Sequence, residues 1–278
     1  MSQSFNDLLQ DARAGLALEL VREAGALLRQ AFSGTVQAAD KGAKAGSKGY
    51  DPVTAADRAA EERMRAILHA RMPEDGIIGE EFGEEEPGAE HVWVLDPIDG
   101  TRAFLCGLPT WTVLVALLRE GRPVLGVIHQ PLMDFTVIGN GASCWRLHGR
   151  EALPARVRST ERLEEALCGT TLPKLYDTPR KEAFLRAVMN RSRHLQFDAD
   201  ALFYAQVACG RMDAAFDTGL ALYDAAALGP VITGAGGIFT DWEGTPAPLG
   251  GDVLAAATPA LHAAILRQLD EAGETSTV

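Results

Sequence analysis

The chain lacks most of what would suit it to nucleic acid, to a membrane or to an oxidising compartment. Basic charge is scarce, with 26 Lys+Arg against 38 Asp+Glu and a formal net charge of −12. No cluster of basic residues interleaves with aromatics as a nucleic-acid groove requires, so no nucleic-acid partner is expected. Cysteine is sparse as well: Cys106, Cys144, Cys168 and Cys209 are scattered without Cys-x-x-Cys spacing. That argues against a zinc knot or a disulfide framework and reads as reduced, mostly buried thiols. No run approaches 18 apolar residues, and no cationic, apolar leader opens the sequence. The expectation is a cytoplasmic protein with no membrane partner. His69, His91, His129, His148, His194 and His262 have no pairwise metal-ligand spacing, and Trp111 and Trp145 read as sheet-packing residues.

What remains is an ordinary globular composition over 278 residues, 47% hydrophobic and 23% charged. It can bury a real core, and its length suits two halves, 1–150 and 151–278. The acidic excess would repel an anionic substrate unless cations intervene, so phosphate chemistry on this chain predicts bound metal.

Heptad-like leucines predict one amphipathic packing helix over residues 5–32. Residues 33–50, rich in Gly and Lys, are too poor in apolar side chains to pack and predict a mobile surface loop. Thr54 is a plausible cap for a helix running to about Arg71, before Pro73, with Asp57 in its first turn. A buried strand over 92–95 ends at Asp96, and strands over 112–118 and 123–128 flank a Glu120-Gly121 turn as an antiparallel hairpin. The first half therefore reads as helices on an antiparallel sheet. The second alternates: strand 167–171, helix 178–189, helix 200–209, strand 213–216, helix 223–235, and strands near Ile238 and Val253, an α/β pattern with a frayed tail over 271–278.

The most informative stretch is Trp93-Val94-Leu95-Asp96-Pro97-Ile98-Asp99-Gly100-Thr101. Two carboxylates stand three apart at the exit of an apolar strand, with a stiffening proline between them. Acids so close repel each other unless a cation neutralises them, and oxygen ligands suit Mg²⁺. Gly100 would let a phosphate approach the backbone, where the Gly100 and Thr101 amides could hold its oxygens. An Asx-type turn after a strand explains the same residues. Glu80, in Ile77-Ile78-Gly79-Glu80-Glu81, emerges at another strand end, where a solvated acidic loop is the alternative; Asp224 sits at a helix start, where capping is.

Taken in order, the Asp-Pro-Val-Thr-Ala-Ala-Asp segment, the Gly-Glu-Glu element, Asp-Pro-Ile-Asp-Gly-Thr and the late Tyr-Asp followed by Gly-Ala-Gly-Gly resemble the inositol monophosphatase family of Mg²⁺-dependent, lithium-sensitive phosphatases. The resemblance covers nearly the whole chain. Asp96-Pro97-Ile98-Asp99-Gly100-Thr101-Arg102-Ala103-Phe104, Gly107-Leu108-Pro109 and Thr240-Asp241-Trp242-Glu243-Gly244 look most like the branch that hydrolyses histidinol phosphate.

The resemblance implies a layered αβαβα sandwich of α/β class, of the inositol monophosphatase and fructose-1,6-bisphosphatase type, and a homodimer. It implies two or three Mg²⁺ ions per site: Glu80, Asp96 and the Ile98 carbonyl hold one, and Asp96, Asp99 and Asp224 the second, with Glu80 also touching a weaker third. Asp57 and Thr101 match the pair that orients and deprotonates the attacking water, and Gly100 and Thr101 the phosphate amides. Asp217 and Asp200 fall where relatives contact the leaving alcohol. Arg102, following the phosphate turn, reads equally as a substrate or dimer contact and as a surface salt bridge. Departures lie near the leaving-group pocket: Asp198-Ala199 stands where the histidinol branch carries two glycines, Asp217 replaces a glutamate, and Thr233-Gly234 precede Ala235-Gly236-Gly237. The expected substrate is a small alcohol phosphate, histidinol phosphate first and inositol 1-phosphate second. A non-catalytic member that binds a phosphorylated metabolite is the contrasting expectation.

Overall fold

Alternation along the apolar strands decides the architecture. A computed structural model describes residues 4–33, 38–40, 52–149, 151–246 and 248–275. Successive side chains of a strand point to opposite faces, so an unbroken apolar run is buried on both sides. Trp93, Leu95, Val113, Val115, Leu117 and Val127 pack with the helices Ala12–Phe32 and Ala55–Arg71 in one core. Their alternates Val92, Val94, Leu114, Ala116, Leu118 and Ile128 pack instead against the helices Asp200–Ala208 and Leu228–Gly234. Beyond those helices, Ala215, Phe239, Val253 and Ala255 present the inner face of a second sheet to the same core. Its outer face, with Phe216, Leu254 and Ala256, is covered by the helices Pro179–Arg191 and Pro259–Thr275. Helix, sheet, helix, sheet, helix is the expected αβαβα sandwich.

The first sheet has eight strands, in the order Glu151–Pro154, Cys144–His148, Phe135–Gly139, Arg122–Gln130, Thr112–Arg119, His91–Asp99, Gly76–Gly79, Gly83–Glu85. It is antiparallel except where Gly76–Gly79 runs parallel to His91–Asp99. The second has five: His194–Phe197, Leu167–Thr170, Ala214–Leu220, Gly251–Ala256, Ile238–Asp241. A separate two-stranded pairing joins Ala38–Asp40 to Pro52–Thr54.

Several elements differ from the sequence expectation for local reasons. The single helix over 5–32 is two, Phe5–Leu8 and Ala12–Phe32, because Asp11 accepts from the Arg13 amide at 2.9 Å and caps the second. The strand expected to stop at Asp96 runs through Pro97 to Asp99, and the strand expected over 213–216 continues to Leu220, so Asp217 lies inside it. The helix over 223–235 is broken into Leu222–Ala225 and Leu228–Gly234. Gly83–Glu85 forms an edge strand of the first sheet. At the expected hairpin, Glu120 and Gly121 both have positive φ, 51° and 74°, the handedness that a two-residue hairpin turn needs. Of the loop expected over 33–50, residues 34–37 and 41–50 lie outside the described residues, and Ala38–Asp40 form a strand; Thr54, expected as a helix cap, ends the strand Pro52–Thr54. Cys144 and Cys168 are buried, Cys209 is half-buried and Cys106 is exposed. No helix among the described residues is long and apolar enough to cross a membrane.

Candidate active site

In a regular strand residues three apart face opposite sides, which would separate Asp96 from Asp99. A one-residue bulge prevents this: Asp96 pairs with Leu114 and Asp99 with Thr112, so three steps on one strand match two on its neighbour. Both carboxylates thereby reach the same place. Asp224, from the Leu222–Ala225 turn of helix, joins them, and ligand oxygens of Asp96, Asp99 and Asp224 all lie within 4.8 Å of one another.

The three carboxylates are tethered unequally. Asp99 Oδ2 accepts from the Thr112 hydroxyl at 3.0 Å and from the Ala201 amide at 2.7 Å. Asp224 is not the N-cap considered from sequence: Ala221 is, and Asp224, the third residue of the helix, accepts from the Ala221 amide at 2.7 Å with Oδ2, which occupies one of its oxygens. Asp96 is buried, and neither of its oxygens has a hydrogen-bond partner among the described residues. A buried carboxylate with no donor costs several kcal/mol unless something else compensates it. Burial, followed by Glu80, Asp99, Asp224 and Asp57, holds the Asp96 carboxyl well above its ordinary pKa. Burial, Asp200 and Asp224 do the same to Asp99, against the opposing bonds from Ala201 and Thr112. Asp224 is pushed up to about 7, mainly by burial. Hard oxygen donors that repel one another are what a divalent cation such as Mg²⁺ satisfies. The residues present fit one.

Glu80 follows the strand Gly76–Gly79, and its amide donates to the Leu95 carbonyl at 3.2 Å, one residue before Asp96. Asp57 is buried in the first turn of Ala55–Arg71. Ile98 is buried, and its carbonyl accepts from the Thr101 hydroxyl at 3.1 Å. Gly100, at φ 88°, opens the short helix Thr101–Leu105. A Cβ on Gly100 would fall 2.8 Å from Asp200 Oδ2, so only glycine lets that carboxylate sit against the turn.

Beside the carboxylates lies a cleft of about 200 Å³ lined by Asp99, Thr171, Asp200, Tyr204, Asp217 and Asp224 among others. Asp217 is fixed by the Thr170 hydroxyl at 3.1 Å, the Thr171 amide at 2.7 Å and the Tyr204 hydroxyl at 3.0 Å. Its carboxyl is still pushed up to about 7 by burial. Asp200 is pushed up to about 6, first by burial and then by Asp198, with Thr171 and Arg102 opposing. Arg102 itself is exposed and makes no ion pair among the described residues. Asp57, Glu80, Asp96, Asp99, Asp224, Asp200 and Asp217 thus share one electrostatic neighbourhood, with Arg102 at its rim. Thr112, Ala201, Thr171 and Tyr204 were not singled out from sequence. Thr112 opens an apolar strand and Ala201 contributes only a main-chain amide, which no side-chain pattern announces.

Comparison with known proteins bears on the chain as a whole. The family model described as the inositol monophosphatase family matches residues 10–274. The Bifunctional phosphatase IMPL2, chloroplastic, of Arabidopsis thaliana is 37% identical over 242 residues, covering 86% of this chain and 67% of the relative. A histidinol-phosphatase of Mycobacterium tuberculosis is 34% identical over 228 residues, covering 79% and 85%. Among solved structures, an inositol monophosphatase from Zymomonas mobilis superposes with a TM-score of 0.80 at 37% identity, covering 94% of this chain and 98% of that one.

Proposed function

This chain belongs to the inositol monophosphatase family and is a phosphoric monoester hydrolase, and from that premise we propose that it hydrolyses histidinol phosphate with Mg²⁺ held in its acidic cluster. The observation that carries the cation is Asp96, buried beside Asp99 and Asp224 with neither oxygen hydrogen-bonded among the described residues. Glu80, Asp96 and the Ile98 carbonyl would hold one cation, and Asp96, Asp99 and Asp224 another. The Ile98 carbonyl accepts one bond from Thr101 and keeps a second lone pair. Mg²⁺ bound there supplies charge neutralisation for the phosphoryl oxygens and the departing alkoxide, and lowers the pKa of water.

The chain's own residues supply the rest. Thr101 gives its hydroxyl hydrogen to Ile98, which leaves its oxygen lone pairs to accept from a water, and Asp57 takes that water's proton. The amides at Gly100 and Thr101 orient the phosphoryl group, approached over a glycine with no side chain. Asp200 and Asp217 line the cleft beside it and present negative charge to the leaving alcohol. An acidic pocket discriminates in favour of a cationic leaving group, and histidinol carries an ammonium and an imidazole.

Phosphate release from histidinol phosphate and inositol 1-phosphate, with and without Mg²⁺, tests this reading, with Asp96→Asn as the control. The expected result is Mg²⁺-dependent turnover, faster on histidinol phosphate and abolished by the substitution. Inositol 1-phosphate faster by tenfold, or ~1.4 kcal/mol in transition-state binding, would overturn the substrate.

A further inference from the structure

A second buried carboxylate lies one helical turn beyond Asp57. Glu61, on the helix Ala55–Arg71, is fully buried yet binds nothing in the cleft. Its Oε2 accepts from the Glu81 amide at 2.7 Å, and its Oε1 from the Phe82 amide at 3.2 Å and from Arg65 Nε at 2.8 Å. On the other side of Glu80, a Cβ on Gly79 would fall 1.9 Å from Glu61 Oε1, so the Gly79 backbone lies directly against the same carboxylate. Both chain neighbours of Glu80 are therefore seated on one side chain.

The surroundings hold that side chain still. Arg65 also donates to the Gly83 carbonyl at 2.5 Å and to Glu85 at 3.4 Å. Arg58 donates to the Glu81 carbonyl at 3.4 Å, and its guanidinium lies 4.4 Å from the centre of the Phe82 ring. The helix that carries Asp57 thus grips the turn from Gly79 to Glu85 at several points, and the grip centres on the residues flanking Glu80. A buried charged pair is weak evidence for stability, since desolvation offsets most of its attraction. What it provides here is a fixed distance between two functional carboxylates on separate elements.

We infer that Glu61 is the positioning residue for Glu80: by accepting the Glu81 and Phe82 amides it aims the Glu80 carboxylate at the cation. The inference rests on the reading of Glu80 as a cation ligand. Groups that orient a ligand from behind typically change cation affinity by ~10–100-fold when removed.

Calorimetric titration of Mg²⁺ into the full chain, with metal-free melting curves alongside, tests it through a double-mutant cycle of Glu61→Gln and Glu80→Gln. Expected are a Mg²⁺ affinity weakened by roughly tenfold or more in Glu61→Gln, a loss in Glu80→Gln at least as large, and no further loss when the two are combined. If Glu61→Gln weakens binding equally in the presence and absence of the Glu80 carboxylate, Glu61 acts on the fold in general and the inference fails. It fails as well if Glu61→Gln leaves the affinity unchanged while Glu80→Gln lowers it, and the ligand reading then stands. Unchanged affinity in Glu80→Gln overturns the ligand reading and the inference together. Glu61→Gln leaves Arg65 facing a neutral partner, so Glu61→Gln/Arg65→Met is run in parallel with the same expectation and no orphaned charge.

Discussion

Asp99 is held by a main-chain amide 102 residues away: Ala201 N lies 2.7 Å from its Oδ2, which joins the aspartate motif of the first sheet to the helix Asp200–Ala208 between the sheets. A cation at Asp99 therefore bears on both sheets at once. Mg²⁺ should raise the melting temperature of the whole protein in a single transition, by about 5–8 °C at a hundred times its dissociation constant. Differential scanning calorimetry with increasing Mg²⁺ checks this. Splitting of the endotherm into a shifted and an unshifted part would mean that the cation stabilises one half alone.

Neutralising Asp96 should stabilise the metal-free protein. Its carboxylate is buried beside Glu80, Asp99, Asp224 and Asp57 and accepts no hydrogen bond among the described residues. Asp96→Asn keeps the volume and removes the repulsion, so a gain of about 0.5–2 kcal/mol is expected without cation, together with loss of the Mg²⁺-induced shift. Denaturant unfolding of both proteins in chelator measures it, and a less stable variant would contradict the repulsion argument.

The same carboxylates fix the sign of the pH dependence. In the folded protein Asp200 is pushed up to about 6, Asp217 and Asp224 to about 7, and Asp96 and Asp99 are also raised. In the unfolded chain all five titrate near ~3.9. The folded state thus binds more protons above pH ~4, and the stability these groups contribute is lost as pH rises through about 6 to 7. His129 opposes this: burial lowers it to about 4, so its contribution is lost as pH falls toward that value. Burial lowers His262 as well, so two imidazoles stand against five carboxylates, and the metal-free protein should melt higher at pH 5.5 than at pH 7.5. Mg²⁺ should stabilise it more at pH 7.5, because protons and the cation compete for the same oxygens. Melting curves at the two pH values, with chelator and with Mg²⁺, decide it.

The sequence was most legible where local chemistry and tertiary packing agree. The hairpin of Thr112–Arg119 and Arg122–Gln130 follows from two apolar runs around Glu120-Gly121, and the burial of both strand faces follows from the absence of polar alternates. The carboxylates of the site were readable because Asp96 and Asp99 interrupt such a run. Legibility failed where a residue's role depends on a distant partner. Ala225-Ala226-Ala227 reads as helix interior, yet the helix breaks there. Glu61 and Arg65 stand four apart on a helix, the pattern of a solvated pair, and only the Gly79 to Glu85 turn folding over them makes Glu61 a buried one. The bulge that turns Asp96 and Asp99 to one side has no signature beyond Pro97.

Asp200 offers the cleanest separation of binding from chemistry. Its carboxylate lies against Gly100 in the cleft, and Arg102 and Asp198 both act on it electrostatically. Asp217 is less suitable for substitution, because Asp217→Ala would strand the Thr170, Thr171 and Tyr204 donors in a buried site, at a cost of about 1–3 kcal/mol for each unsatisfied group. Asp200→Asn keeps the shape and removes one negative charge. For a cationic alcohol phosphate it should raise KM by roughly ten- to a hundredfold, the worth of a charge-assisted hydrogen bond, with kcat changed far less. For inositol 1-phosphate, which brings no positive charge, KM should stay within about threefold of the wild-type value. Steady-state kinetics on the two substrates makes the comparison. An equal rise on both would show that Asp200 orders the cleft rather than reading the charge of the leaving group.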